Sequence, residues 1–468
     1  MSLAYAAGKS GRMALKVAVI DIGKTNAKLL LIDLATGAEV AAFKAPNRVL
    51  PGPPYPHFDI EGLWAFLLTG LAELARAHEV AAISITTHGA AAVLVDAGGA
   101  LALPMLDYEF AGPDELRAEY GALRPDFAET GSARLPGGLN VGAQLYWQAQ
   151  QFPEGFARVA HVLTYPQYWA HRLTGVAASE VTSLGCHTDL WNPWQGQFSS
   201  LLARAGWTDL FPPVQPASAR LGGLLPEWAA RTGLPVGLPV CSGIHDSNAS
   251  LLPYLGGEEA AFSVVSSGTW MISMAIGGAR VALDAARDTL VNVNALGGPT
   301  PTARYMGGRE FDETTAGAIV EPTSADVARV LGAGVMALPS LHPGTGPFPG
   351  LGFGWTAEPA TAGERCAAAA YYVALMVAEC LDLIGAAGPI YVEGPFGGNR
   401  EFAAMLATAT GRGVIARGQS AGTGLGAALL VAPLELASAV VAPVLPQPQL
   451  QAYAQDWRAR VRDLWAQV

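Results

Sequence analysis

The chain has 468 residues, of which 51% are hydrophobic and 14% charged, so it is too long for one hydrophobic core and too apolar for a disordered protein. Two domains of ordinary to large size are expected. A formal net charge of -11 argues against a nucleic-acid partner, whose phosphate backbone calls for a basic surface, but leaves room for a small anion held locally by backbone amides.

The four cysteines, Cys186, Cys241, Cys366 and Cys380, form no CxxC pair. They read as buried free thiols in a cytoplasmic protein, without a cysteine metal site. No apolar run reaches membrane-spanning length, since Ala367 to Leu383 is interrupted by Glu379 and Asp382, and no membrane partner is expected. The opening MSLAYAAGKSGRM has no apolar core and reads as a disordered leader. Its GKS is not a phosphate-binding loop, because position 3 is Leu and no strand precedes it.

Lys16 to Asp33, KVAVIDIGKTNAKLLLID, reads as two short apolar strands joined by a polar turn. Gly23 lets the backbone approach a ligand closely, and Lys24, Thr25 and Asn26 add donors, so the turn can cradle phosphate. Asp21, at the end of a buried strand, needs a hydrogen bond, a partner or a cation. Glu39 to Lys44 can add a third strand, and Asp59 can cap a helix running to about His78. Ala81 to Thr86 is the next buried strand, ending at Thr87-His88-Gly89-Ala90, and Ala91 to Asp96 is expected as its neighbour. Strands, then a helix, then a strand indicate a mixed α/β layer.

Between 97 and 250 the pattern is weaker: Leu106-Asp107-Tyr108-Glu109 reads as a loop, with helical stretches near 143–151 and 167–173. The apolar strand Val236 to Cys241 then delivers Ser242-Gly243-Ile244-His245-Asp246-Ser247-Asn248. Asp246 there can act as a base or cap a helix by bonding the backbone near Ala249, and spacing favours the cap. A metal-dependent phosphohydrolase would need further His and Asp ligands, which the eight histidines do not supply.

Ala261 to Gly277 repeats the first hairpin, with Ser266, Ser267, Gly268 and Thr269 in the turn. Two such hairpins indicate a duplicated domain with a ligand between the copies, divided near 251–259. A long helix over 365–384, a strand over 389–393, the glycine turn Gly394 to Asn399 and a helix over 400–410 follow. Next come a strand over 414–416, a helix opening at Gly424 and a tail ending in a short amphipathic helix. The glycines of 421–426 do not have dinucleotide-fingerprint spacing.

Taken together, these stretches resemble the FGGY carbohydrate kinases, the sugar-kinase branch of the actin, hexokinase and Hsp70 ATPase fold, from about Lys16 to Ala432. Asp21 to Asn26 is similar to the family's first phosphate loop, 87–90 to its sugar-contacting strand end, and 243–250 to its catalytic-aspartate loop. Ser267-Gly268-Thr269 is similar to the second phosphate loop, and 393–399 with 422–426 to the adenosine site. The resemblance implies an α/β fold of two actin-like (ribonuclease H-like) domains, 14–250 and 251–440, with an interdomain catalytic cleft and a tail over 441–468. It implies ATP-dependent transfer to a primary hydroxyl of a ketose or related polyol, with Asp246 as general base and Mg²⁺ at Asp21. ATP would be held by Gly23, Lys24, Thr25, Asn26, Gly268, Thr269, Gly394, Gly397, Gly398, Asn399 and Gly424. The sugar would meet His88, Gly89, Asp107, His245 and Asp246. A homodimer is common among proteins of this kind.

Two positions depart from the family pattern: Lys24 stands where Thr or Ser is usual, and Gln144 where Lys is common. His245 before Asp246 is similar to rhamnulose and fuculose kinases, whereas His88-Gly89-Ala90 is similar to xylulose kinases, so the sugar stays open. The competing readings are a sugar- or nucleotide-binding sensor without transfer, and an ATP-driven chaperone-like cycle, for which no partner-binding appendage is evident.

Overall fold

The computed structural model describes residues 15–257, 259–416, 422–432 and 442–468. The expected leader and Ala421 lie outside the described residues. Two sheets organise the chain. The first contains β1 (Lys16–Ile22), β2 (Asn26–Asp33), β3 (Ala38–Pro46), β4 (Ala82–Thr87), β5 (Arg220–Gly223), β6 (Pro239–Cys241) and β7 (Ile244–His245). Its order is β5-β6-β4-β1-β2-β3, with β7 also paired to β4. The second contains β8 (Phe262–Ser267), β9 (Met271–Ile276), β10 (Thr289–Val293), β11 (Pro299–Tyr305), β12 (Ile390–Glu393) and β13 (Val414–Ala416), in the order β10-β11-β9-β8-β12-β13.

The sheets share one plan. In each, a hairpin strand (β1 or β8) pairs antiparallel with its successor and parallel with a strand delivered later in the chain (β4 or β12). A parallel partner needs a long crossover, and both faces of such a sheet are covered, which is why β1 reads as a near-continuous apolar run with six of its seven residues buried. The duplicated plan expected from the two hairpins is therefore present.

Local chemistry sets the helices. In α1 (Ile60–Ala77), the Asp59 carboxylate accepts from Gly62 N at 2.9 Å and caps the first turn. Leu63, Leu67, Leu71 and Leu74 recur at helical spacing and are buried against the first sheet. Each such side chain contributes about 1.5–3 kcal/mol by leaving water.

The long helix α2 (Ala362–Leu383) is 22 residues and apolar enough to cross a membrane, longer than the interrupted run in the sequence suggested. It is buried all round within the second core, as a central helix of a large domain must be. Its run of alanines, Ala367 to Ala370, lets neighbouring elements approach closely.

Two expectations are corrected. The strand following 87–90 is Ala92–Val95, but its partner is His161–Thr164, in a separate two-stranded sheet. Both edges of β4 are already taken, by β1 on one side and by β6 and β7 on the other, so no pairing site is left for it. The tail helix is α3 (Pro448–Trp465), 18 residues long rather than short. Trp457 Nε1 donates to the Ala337 carbonyl at 2.8 Å and Tyr453 Oη to that of Val335 at 2.7 Å, while Arg458 pairs with Glu379 and Asp382. It is docked on the second core.

Candidate functional site

The carboxyl ends of parallel strands collect ligands in open α/β sheets, because the chain leaves the sheet there and exposes polar termini. In the first sheet those ends are close together. Asp21 on β1 lies opposite Thr86 on β4, His245 on β7 lies opposite Thr87, and His88 N donates to the Ile22 carbonyl at 2.8 Å. Asp21, His88 and Asp246, widely separated in sequence, thus share one edge. In the second sheet Ser266 at the end of β8 lies opposite Glu393 at the end of β12. The two edges face each other across a cavity of about 430 Å³, lined by His88, Gly89, Tyr108, His187, His245 and Asp246 from one side and by Ser266, Asn292, Arg304 and Glu393 from the other.

Asp246 opens the helix Asp246–Leu251, and its carboxylate accepts from the next amide, Ser247 N, at 2.6 Å. The helix N-cap is His245, so the expected bond from Asp246 towards Ala249 is not made. The carboxylate instead edges the cleft, with 29% of its side chain exposed, and lies 3.2 Å from His245 Nε2. Burial raises its pKa, opposed in part by the hydrogen bonds it accepts from Ser247 N and Ser247 Oγ. The imidazoles around it stay neutral: burial lowers His245 and His187 to about 4 and also lowers His88. A carboxylate held above its usual range among neutral imidazoles can take a proton from a hydroxyl at neutral pH.

His88 is clamped among the rings of Phe58, Tyr108 and Tyr165, at centroid distances of 5.2, 5.4 and 5.1 Å. Its Nδ1 lies 2.8 Å from the Gly89 carbonyl, leaving Nε2 buried without a partner among the described residues. Gly89 is needed for close approach, since a Cβ there would sit 2.7 Å from His245 Nε2. Ala90 and His187, also at the cavity, hold left-handed backbones with φ of 54° and 41°. Such strain concentrates where a ligand site over-determines the chain.

Asp21 is 6% exposed, and its Oδ2 accepts from Thr423 Oγ1 at 2.7 Å, with Lys28 Nζ at 3.8 Å. Burial raises its pKa, and the nearby Asp246 adds to this, so an added cation would be stabilised here. Among the described residues no group of three or more His, Cys, Asp or Glu forms a metal cage. Mg²⁺ is commonly held by one or two carboxylates together with phosphate and water, and Asp21 offers one such carboxylate.

The remaining sequence candidates fall into four places. In the first turn, Gly23 N donates to the Asn26 carbonyl at 2.9 Å and Asn47 Nδ2 donates to the Gly23 carbonyl, while Thr25 and Asn26 are exposed. Lys24 does not extend from that turn into open solvent; its ammonium is ion-paired to Asp107 and to Glu109. In the second turn, Gly268 is packed so closely by Gly308 that a Cβ on Gly308 would sit 1.9 Å from the Gly268 carbonyl oxygen, while Thr269 is exposed. Gly394 holds a φ of 82°, and Phe396 N and the Glu393 carbonyl share the Ser267 hydroxyl. Asn399 caps the helix Arg400–Thr410 through Phe402 N at 3.0 Å. Gly398 and Asn399 line a second cavity of about 480 Å³ together with Phe311, Ile319, Val320 and Phe396, and Gly397 sits in the same turn.

Gly424 lies elsewhere, in the helix Gly422–Ala428, which crosses back to the first sheet. A Cβ on Gly424 would meet Leu30 Cδ1 at 2.5 Å, and one on Gly426 would meet the Ala249 carbonyl oxygen at 1.8 Å. Ser84 Oγ donates to the Ala427 carbonyl at 2.6 Å. The glycines of this segment therefore let a helix from the second half lie against β2 and against the helix that begins with Asp246.

Sequence reasoning missed several residues. Gln144, noted only as a departure, is buried and donates to the carbonyls of Ala90 and Gly138, holding the strand end beside His88. Glu180 is fully buried and accepts from Thr182 N, Thr182 Oγ1 and Ser183 N, and Thr182 Oγ1 in turn accepts from His245 N at 3.0 Å. Glu180 thus supports the Asp246 loop from behind. Glu180 caps the short helix Val181–Leu184, but Glu is not a residue favoured at that position, so no sequence signal marked it.

Burial raises Glu180 to about 7. Its folded pKa exceeds its unfolded one, near 4.3, so the stability linked to it is fully present below that value and is lost as pH rises towards 7. The loss is on the order of 3 kcal/mol. Urea midpoints of wild type and Glu180→Gln measured from pH 5 to pH 8 should therefore diverge in favour of the variant as pH rises; parallel curves would remove this role for burial.

Two similar sheets facing each other across a cleft define the class of two-lobed α/β ATPase-fold proteins. The N-terminal domain of the FGGY family of carbohydrate kinases matches residues 124–253, and the C-terminal domain of carbohydrate kinase FGGY matches residues 259–439. The solved structure of a carbohydrate kinase from Novosphingobium aromaticivorans is 38% identical, with a TM-score of 0.89 over 97% of this chain and 100% of that one. The chain belongs to the FGGY family of carbohydrate kinases. Xylulose kinase from Rhodospirillum rubrum, 24% identical with a TM-score of 0.74 over 96% of this chain and 98% of its own, shares the fold. L-fuculokinase of Escherichia coli (strain K12) is 28% identical over 55% of this chain and 56% of its own. Rhamnulokinase of Enterobacter sp. (strain 638) is 28% identical over 54% and 52%. The chain spans about half the length of these curated relatives.

Proposed function

We propose that the protein transfers the γ-phosphoryl group of ATP to a primary hydroxyl of a ketose, of the pentulose or hexulose kind, or a related polyol. The observation that carries this reading is the placement of Asp246, a carboxylate raised by burial among neutral imidazoles, at the meeting point of the two strand-end edges. The acceptor hydroxyl attacks the γ-phosphorus, its proton passes to Asp246, and the bond to the β–γ bridging oxygen breaks to release ADP. His88, Gly89 and His245 face the acceptor. Backbone amides of the turns at 23–26 and 268–269 face the phosphates, and the cavity beside Gly398 and Asn399 takes the adenosine. Asp21 would hold Mg²⁺, directly or through water, and the ion would neutralise charge on the phosphates. The cavity volumes, about 430 and 480 Å³, suit ligands of this size.

The proposed domain division stays at 14–250, 251–440 and 441–468, with closure of the two halves excluding water from the transfer. A panel of ketoses, aldoses and polyols in a coupled ADP-release assay tests the reading. ADP release is expected with one or a few ketoses and not without sugar. Binding of a sugar with no ADP release across the panel would favour a sensor of the same fold.

A further inference from the structure

Lys24 occupies the turn that faces the phosphates, yet its ammonium is already engaged elsewhere. It pairs with Asp107, and Glu109 Oε2 lies at 3.3 Å, so one cation faces two carboxylates. It also sits over the rings of Phe58 and Tyr108, 4.9 and 4.6 Å from their centroids. A cation that is ion-paired and covered by two aromatic faces would have to give up these contacts to reach a phosphate.

The groups it holds lie at the acceptor end of the cleft. Asp107 is 7% exposed and its amide donates to the Pro56 carbonyl at 3.0 Å, so the loop is anchored from its other side as well. Tyr108, between the two carboxylates, lines the cavity with Asp246 and packs edge-on against His88. Phe58 packs against the same imidazole. Lys24 therefore ties the first turn to the loop and rings that shape the space beside His88.

We propose that Lys24 is a positioning residue for the acceptor sugar, and not a ligand of the nucleotide phosphates: by holding Asp107 and Glu109 it fixes Tyr108 and so sets which acceptor fits against His88. The inference rests on the sugar-kinase reading above.

The test is equilibrium titration of the full-length protein with AMP-PNP plus Mg²⁺ and, separately, with D-xylulose, L-rhamnulose and L-fuculose. Lys24→Met should bind AMP-PNP within about twofold of wild type and bind the ketose that wild type prefers at least tenfold more weakly. A purely structural defect would weaken both ligands or lower the unfolding temperature without this split. Asp107→Asn provides a second route should Lys24→Met fold poorly: it removes the main partner of the ammonium, and the same split is expected. A tenfold loss of AMP-PNP affinity in Lys24→Met, or unchanged ketose affinity in a folded Lys24→Met, would overturn the proposal. If wild type binds none of the three ketoses but binds AMP-PNP, the acceptor found in the ADP-release panel takes their place, and failure of that whole panel sinks the sugar reading on its own while the AMP-PNP arm still shows whether Lys24 touches phosphate.

Discussion

Asp246→Asn should lose turnover by about 10²–10⁴-fold, the range a positioned general base contributes, while the acceptor sugar still binds. Asn keeps the size and an oxygen able to accept from Ser247 N, the hydrogen bond that Asp246 makes at 2.6 Å. What it lacks is the capacity to take a proton. The same substitution should stabilise the fold at neutral pH. Burial raises the carboxyl above its unfolded pKa, so the ionised form costs stability once pH has risen through the folded value, and the amide carries no such cost. Below the unfolded value, where the carboxyl is protonated in both states, the gain should vanish. Calorimetric Tm values across pH and sugar titrations of the variant measure both halves. A variant that loses sugar binding along with turnover, or that is less stable than wild type at pH 8, would show that Asp246 serves mainly to hold the loop.

Gly426→Ala should be nearly as damaging although it touches no proposed ligand. The added Cβ would sit 1.8 Å from the carbonyl oxygen of Ala249, a backbone atom in the helix that Asp246 begins. Backbone cannot swing aside as a flexible side chain can, so either the helix from 246 or the segment from 422 must shift. Overpacking of this kind costs about 1–3 kcal/mol. The shift would also move Asp246 relative to Asp21, because Thr423 on the displaced segment donates to the Asp21 carboxylate. Urea denaturation and turnover of the variant should show both losses, whereas Gly196→Ala, where the Cβ would meet nothing within 4 Å, should leave turnover intact despite the strain of a left-handed φ. Equal activity of Gly426→Ala and wild type would mean that the contact between these two helices does not position the site.

The hairpins at 16–33 and 262–276 were readable because strand periodicity and a glycine turn are local signals. So were the capped helix after Asp59 and the helix Arg400–Thr410. Where the chain leaves a strand end was also readable, which marked Asp21, His88 and Asp246 one by one; that they share an edge is set by the strand order. What could not be read was which strand edges were free: Ala92–Val95 looks like a neighbour of β4, but only the later return of β6 and β7 decides that β4 has no edge left. Contacts across long sequence separations leave no periodic trace either. Thr423 meets Asp21 across 402 residues, and Ser84 meets Ala427 across 343. The glycines at 424 and 426 looked like ligand-approach glycines, yet their freedom from a Cβ is used first for helix packing. Lys24 reads as a phosphate donor from its turn, and only the fold brings Asp107 and Glu109 to it.

The most direct measurement is ³¹P NMR of the wild-type protein incubated with ATP, Mg²⁺ and the ketose that gives the fastest ADP release. A sugar kinase yields one new phosphate-monoester resonance that grows in equal amount with ADP, with no more inorganic phosphate than in a sugar-free control. Growth of inorganic phosphate with ADP and no monoester would contradict phosphoryl transfer to the sugar, and would mean that the cleft hydrolyses ATP instead.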